Sequence, residues 1–94
     1  LMARLTSDFW VSAYLRQAAH DGLVAVLRRR GAAEAGAIFV KLDRLDRTAA
    51  LYGPAPQALA EDDGVRRFQL LLDGDPLSVE ERMARELRFD SDLW

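Results

Sequence analysis

The chain has 94 residues, half of them apolar and 30% charged, with net charge −2 and no cysteine. This is the composition of one globular domain spanning 1–94, and it excludes a disulfide framework, a thiolate metal site and a cysteine nucleophile. A pI near 5.3 argues against indiscriminate nucleic-acid binding, and no apolar run nears the roughly 20 residues that span a bilayer. The opening LMARLTSD has no signal-peptide core, so a cytoplasmic location without a membrane partner is the expectation.

Trp10, Val11, Tyr14, Leu15 and Ala18 recur at steps of three and four, which predicts an amphipathic helix from Ser7 to His20. Ser7 or Asp8 is its expected N-cap, and Gly22 its expected left-handed stop. The β-rich runs LVAVLRRR (23–30) and AIFVKL (37–42) flank the glycine-bounded loop GAAEAG and read as an antiparallel hairpin. After the polar turn 43–47, TAALYG (48–53) supplies a third strand. Gly53-Pro54-Ala55-Pro56 ends it, because each proline lacks a donor and is expected to stay out of a central strand. Residues 57–65 read as a polar surface loop, and RFQLLL (67–72) as the fourth strand. The last helix covers 76–89. Ser78 and Glu81 match a capping box there, and Val79, Met83 and Leu87 form its apolar stripe. The expected architecture is α+β: a four-stranded antiparallel meander with an N-terminal and a C-terminal helix, in the order α-β-β-β-β-α.

The tetrapeptides SDFW (7–10) and SDLW (91–94) hold the chain's two tryptophans. One opens a helix and the other follows one. Nothing between them repeats, so they are not marks of a duplicated unit. Trp10 with Tyr14 is expected in the core, and Trp94 against the sheet or a neighbouring chain.

SDFWVSAYLR, RRRGAAEAGAIFVKLDRLD, LYGPAPQ and RELRFDSDLW, taken in order over nearly the whole chain, resemble a bacterial family known as domain of unknown function 1491. The resemblance implies an α+β fold and carries no activity, substrate or catalytic residue. It also implies a short β-like segment after the DLW motif, an additional strand beyond Trp94.

A symmetric hairpin would set Arg30 opposite Ala37 and Arg28 opposite Phe39. Arg28, Arg30, Phe39 and Lys41 would then share one face, as a site for an anionic ligand or an acidic protein patch requires. The alternative is that these cations pair with the second half of the chain, since residues 1–50 carry +3 and residues 51–94 carry −5. Tyr52 and Gln57 flank the Gly/Pro turn and could rim a pocket or docking surface, or simply border a strand terminator.

His20 is the sole histidine and stands without a GxSxG elbow or a second histidine, so neither a hydrolytic triad nor a histidine metal cluster is legible. Glu61-Asp62-Asp63-Gly64 lacks calcium-loop spacing, and GAAEAG lacks both phosphate-loop signatures. No catalytic residue, metal or cofactor is assigned. Three functions follow in order. The first is a non-catalytic protein-interaction module, with self-association as a homodimer one form of it. The second is a binder of RNA or another phosphate-rich ligand through the arginine face, and the third is a small enzyme using Tyr52, Lys41 and a nearby carboxylate.

Overall fold

The structure is a computed structural model that describes residues 5–56 and 65–94. Its elements are α1 (Ser7–His20), β1 (Val40–Asp43), β2 (Ala49–Pro54), β3 (Phe68–Gly74) and α2 (Pro76–Phe89). The α+β class and both helices agree with the sequence reading. The strand count does not: the described residues form one three-stranded antiparallel sheet in the order β1-β2-β3.

The run 23–30 forms no strand, and the predicted hairpin with 37–42 is absent. Strand β1 begins only at Val40 and pairs with Tyr52 of β2. The reason is competition for the backbone of the intervening loop. Ser7 and Asp8 N–H donate to the carbonyls of Glu34 and Ala33, at 3.0 and 2.9 Å. From the other side, Ala32 N–H donates to Asp92 O, and Trp94 N–H to Ala37 O. The groups a 30–37 turn would have used are taken by segments from both ends of the described chain, and such tertiary bonding overrides β-propensity.

The two look-alike tetrapeptides therefore share a task. Ser7-Asp8 and 91–94 grip residues 31–37 from opposite sides. Ser7 is fully buried, and its Oγ donates to Gly36 O at 2.6 Å. It is not the cap: Thr6 occupies the N-cap position, its hydroxyl donating to the Asp8 carboxylate and accepting from no helical N–H, and the loop carbonyls satisfy the first helical donors. At the other end of α1, Gly22 has φ +77°. Leu23 N–H and Gly22 N–H donate to Ala18 O and Ala19 O, which is a Schellman stop as expected. Helix α2 starts earlier than its capping box: Asp75 accepts from Ser78 N–H at 2.8 Å, and Pro76 takes the first turn.

Two apolar clusters result. Helix α2 lays Val79 and Met83 on Ala49, Leu51, Phe39, Leu71 and Leu72 of one sheet face. Helix α1 packs Val11 with Ile38 and Trp94, and Trp10 stacks on Tyr14 at 5.1 Å and meets Phe68 at 5.4 Å. Pro54 does lie in the central strand, contrary to expectation, at the last register position opposite Phe68. It is tolerated because β1 reaches no further along β2 than Tyr52, so Pro54 has a partner strand on one side only.

Candidate functional site

Leu23 to Ala32 runs without helix, turn or bend, and every residue from 23 to 30 is exposed. Three arginines fasten this strap. Arg28 donates twice to Glu80 of α2, at 2.8 and 2.7 Å. Arg29 donates to Leu93 O at 3.1 Å and also to Ser91 O. The Arg30 guanidinium lies over the Trp94 ring, 5.6 Å from its centroid. The triplet holds by its side chains what a ladder would have held by its backbone.

Upstream of the arginines only the Leu23 N–H is fastened, to Ala18 O. Val24 is 97% exposed, Val26 78% and Leu23 65%. From Val24 to Gly31 no backbone N–H or C=O bonds to another described residue. An apolar, β-branched segment with a free row of donors and acceptors is what a sheet edge presents to an incoming strand.

The predicted arginine face is only partly assembled. Arg28 and Lys41 do meet, but at Glu80, whose Oε1 also accepts from Lys41 Nζ at 2.8 Å. The bonds from Arg28, then those from Lys41, hold the Glu80 carboxyl at about 2, below its ordinary 4.5. Arg30 is apart, on Trp94, and Phe39 packs into the α2 cluster. Arg44 similarly forks onto Asp73, at 2.8 and 3.0 Å. Three cations of the first half thus pair with two acids of the second.

The β1–β2 register pairs Lys41 with Leu51 and Val40 with Tyr52. Side chains alternate along a strand, so Lys41 and Tyr52 point to opposite faces of the sheet. They cannot serve one reaction centre. Gln57 and the acidic run 61–64 lie outside the described residues. Among the described residues, no group of three His, Cys, Asp or Glu side chains gathers as a metal site, and no helix is long and apolar enough to cross a membrane. Glu80, Arg29 and Trp94 were not legible as partners in the sequence. The one available signal was that RRRG and DSDLW both stood out as separate motifs.

A carboxyl with a depressed pKa stabilises the fold above its unfolded pKa, near 4.5, and that contribution fades as pH falls through about 2. Glu80→Gln is therefore expected to cost about 1 kcal/mol at pH 7 in urea unfolding. Solvent keeps the figure small, because the Arg28 and Glu80 side chains are 57% and 37% exposed. The gap to the unsubstituted protein should narrow steadily below pH 4.5. A constant gap down to pH 2 would mean that the ion pairs are not its source.

A family model described as "Protein of unknown function (DUF1491)" matches residues 5–94. The solution structure of protein Atu0922 from A. tumefaciens is 43% identical, with a TM-score of 0.83 over 97% of this chain and 81% of that one. The crystal structure of a DUF1491 family protein from Caulobacter crescentus CB15 is 32% identical, with a TM-score of 0.77 over 96% and 80% of the two chains. None of the curated proteins compared matches the chain.

Proposed function

The chain belongs to the DUF1491 family, and from that premise we propose that it is a non-catalytic, cytoplasmic interaction module that docks an extended protein segment along Leu23–Leu27. One observation carries this reading: an exposed apolar segment whose backbone hydrogen-bonding groups are unpaired from Val24 onward. In water these groups cost nothing, since they are hydrated. Against an incoming strand they supply a row of main-chain bonds, while Val24 and Val26 supply apolar contact. The arginine anchors at one end and the Leu23–Ala18 bond at the other tether the segment beforehand and so reduce the ordering cost of docking.

Binding of RNA or another phosphate-rich ligand is the weaker reading, because Arg28 and Lys41 already share the Glu80 carboxylate as their ion-pair partner. The two readings separate in one experiment. Capture from a nuclease-treated bacterial lysate is compared between the unsubstituted chain and a Val24→Asp, Val26→Asp double variant. We expect a defined protein retained by the first and lost by at least tenfold with the second, since each buried apolar-to-charged change removes roughly 1–3 kcal/mol. Capture unaffected by the double substitution, or abolished by nuclease, would overturn the docking reading.

A further inference from the structure

We infer that the segment docked on Leu23–Leu27 is the same segment of a second copy of this chain, paired antiparallel about a two-fold axis at Ala25. This inference rests on the strand-docking reading above and names its partner.

The first observation is the order of residues. Leu23-Val24-Ala25-Val26-Leu27 reads identically in both directions. In an antiparallel pair centred on Ala25, residue 23 opposes 27, 24 opposes 26, and 25 opposes its own copy. Every cross-strand pair is then between like apolar residues: Leu with Leu, Val with Val, Ala with Ala. An isologous contact demands this self-complementarity, because the same patch must fit itself. The pairing also has one favoured register. Sliding by one residue would oppose Val to Ala and throw the two exposed valines out of alignment.

Charge supplies the second observation. Asp21 stands just before the palindrome, and Arg28, Arg29 and Arg30 stand just after it. Antiparallel pairing brings the acid of each copy to the basic end of the other, at both ends of the ladder. A parallel pairing would stack the three arginines on three arginines. Antiparallel is therefore the favoured sense. Geometry bounds the ladder as well. Gly22, at φ +77°, turns the chain into α1, and the guanidinium of Arg28 is directed to Glu80. Between these limits Val24 to Leu27 have both backbone groups free to pair, and Leu23 its carbonyl, since its N–H is held by Ala18 O. Gly22 opposes Arg28 in this register, so a residue without a side chain faces a long one.

A five-residue ladder lies well below the area of a standard stable interface. The dimer is accordingly concentration-dependent and exchanging, not obligate.

Single cysteines test the register directly, because the chain has none of its own. Directly opposed residues of an antiparallel pair have Cα atoms about 4.5–5.5 Å apart, within disulfide reach. Ala25→Cys is expected to oxidise to a covalent dimer at least about tenfold faster than Ala84→Cys, an exposed control on α2. A mixture of Val24→Cys with Val26→Cys should cross-link between the two variants faster than either does alone. Sedimentation of the unsubstituted protein should show a dimer fraction that rises with concentration and is lost in Ala25→Pro, which lacks the donor.

Two results would overturn the inference. One is a monomer at all concentrations together with Ala25→Cys oxidising no faster than Ala84→Cys. The other is Val24→Cys alone cross-linking faster than Ala25→Cys. If the lysate experiment still shows a protein whose capture depends on Val24 and Val26, self-pairing is discarded and strand docking is kept. If that capture is absent too, both fall.

Discussion

Trp94→Ala is expected to lower the unfolding free energy by about 3–5 kcal/mol, the range for removing a buried tryptophan side chain. The ring is buried with Val11 and Ile38, and Trp10, Leu15 and Phe68 pack around them. Its Nε1–H donates to Ala32 O at 2.8 Å, and Arg30 covers one face. No sheet residue of the α2 cluster takes part, so the damage should be regional. Native-state hydrogen exchange is the informative measurement: amides of α1 should lose protection while those of β2 and β3 keep most of theirs. Trp94→Phe separates the contributions, since it retains most of the apolar contact and loses the bond to Ala32, worth about 1 kcal/mol. Uniform loss of protection through α1 and the sheet would show that the two clusters are one cooperative unit.

The second large effect concerns glycine. A Cβ on Gly36 would lie 2.4 Å from Asp92 O and 2.8 Å from Ala32 O, and one on Gly31 would lie 2.2 Å from Asp92 O and 2.5 Å from Leu93 O. All three oxygens are backbone atoms, which cannot swing aside as the tip of a side chain can. Gly36→Ala or Gly31→Ala must therefore push the 91–94 segment off the loop. The Ala32–Asp92 and Trp94–Ala37 bonds, at 2.8 Å each, would go with it. Two hydrogen bonds and part of the Trp94 packing amount to about 2–4 kcal/mol. Tryptophan fluorescence should move to longer wavelength as Trp94 becomes wet. Either variant unfolding at the unsubstituted protein's midpoint would show that the segment can accommodate a methyl group. Gly22→Ala is a contrast in kind, because nothing lies within 4 Å of its Cβ and only its positive φ is at issue.

The helices were readable because their signal is local. The steps of three and four through Val11, Leu15 and Ala18, and through Val79 and Met83, mark a buried stripe whatever the stripe meets, although Tyr14, expected in the core, is 43% exposed. Strands β2 and β3 were readable as apolar runs bounded by turn residues. The run 23–30 carried an equal signal and formed no strand, because β-propensity records that a segment could be half-buried and says nothing of its partner. Here the partner groups are in use. The carbonyls of Ala32, Ala33, Glu34, Gly36 and Ala37 each accept a bond from Ser7, Asp8 or residues 92–94, or from within the loop itself. No window of the sequence shorter than the whole could show that.

The site was legible to a similar degree. A hairpin that does not form is what set Arg28 and Lys41 on one face, and the two meet instead through Glu80, an acid of the second half. What stayed hidden was the division of labour among adjacent arginines. One residue forks onto a carboxylate, the next takes carbonyl oxygens and the third covers an indole. These roles differ by direction alone, and direction is a property of the folded backbone.

The grip on residues 31–37 also orders events in time. Ser7 meets Gly36 across 29 positions, and Trp94 meets Ala32 across 62. During synthesis, at about 5–20 residues per second, α1 and its loop are exposed well before the second half of the clamp arrives. Contacts that close so long a stretch of chain are slow to form. The α1 cluster can be completed only once residues 91–94 have left the ribosome, so the apolar stretch LVAVL stays without its arginine anchors on Glu80, Ser91, Leu93 and Trp94 until those residues have been made.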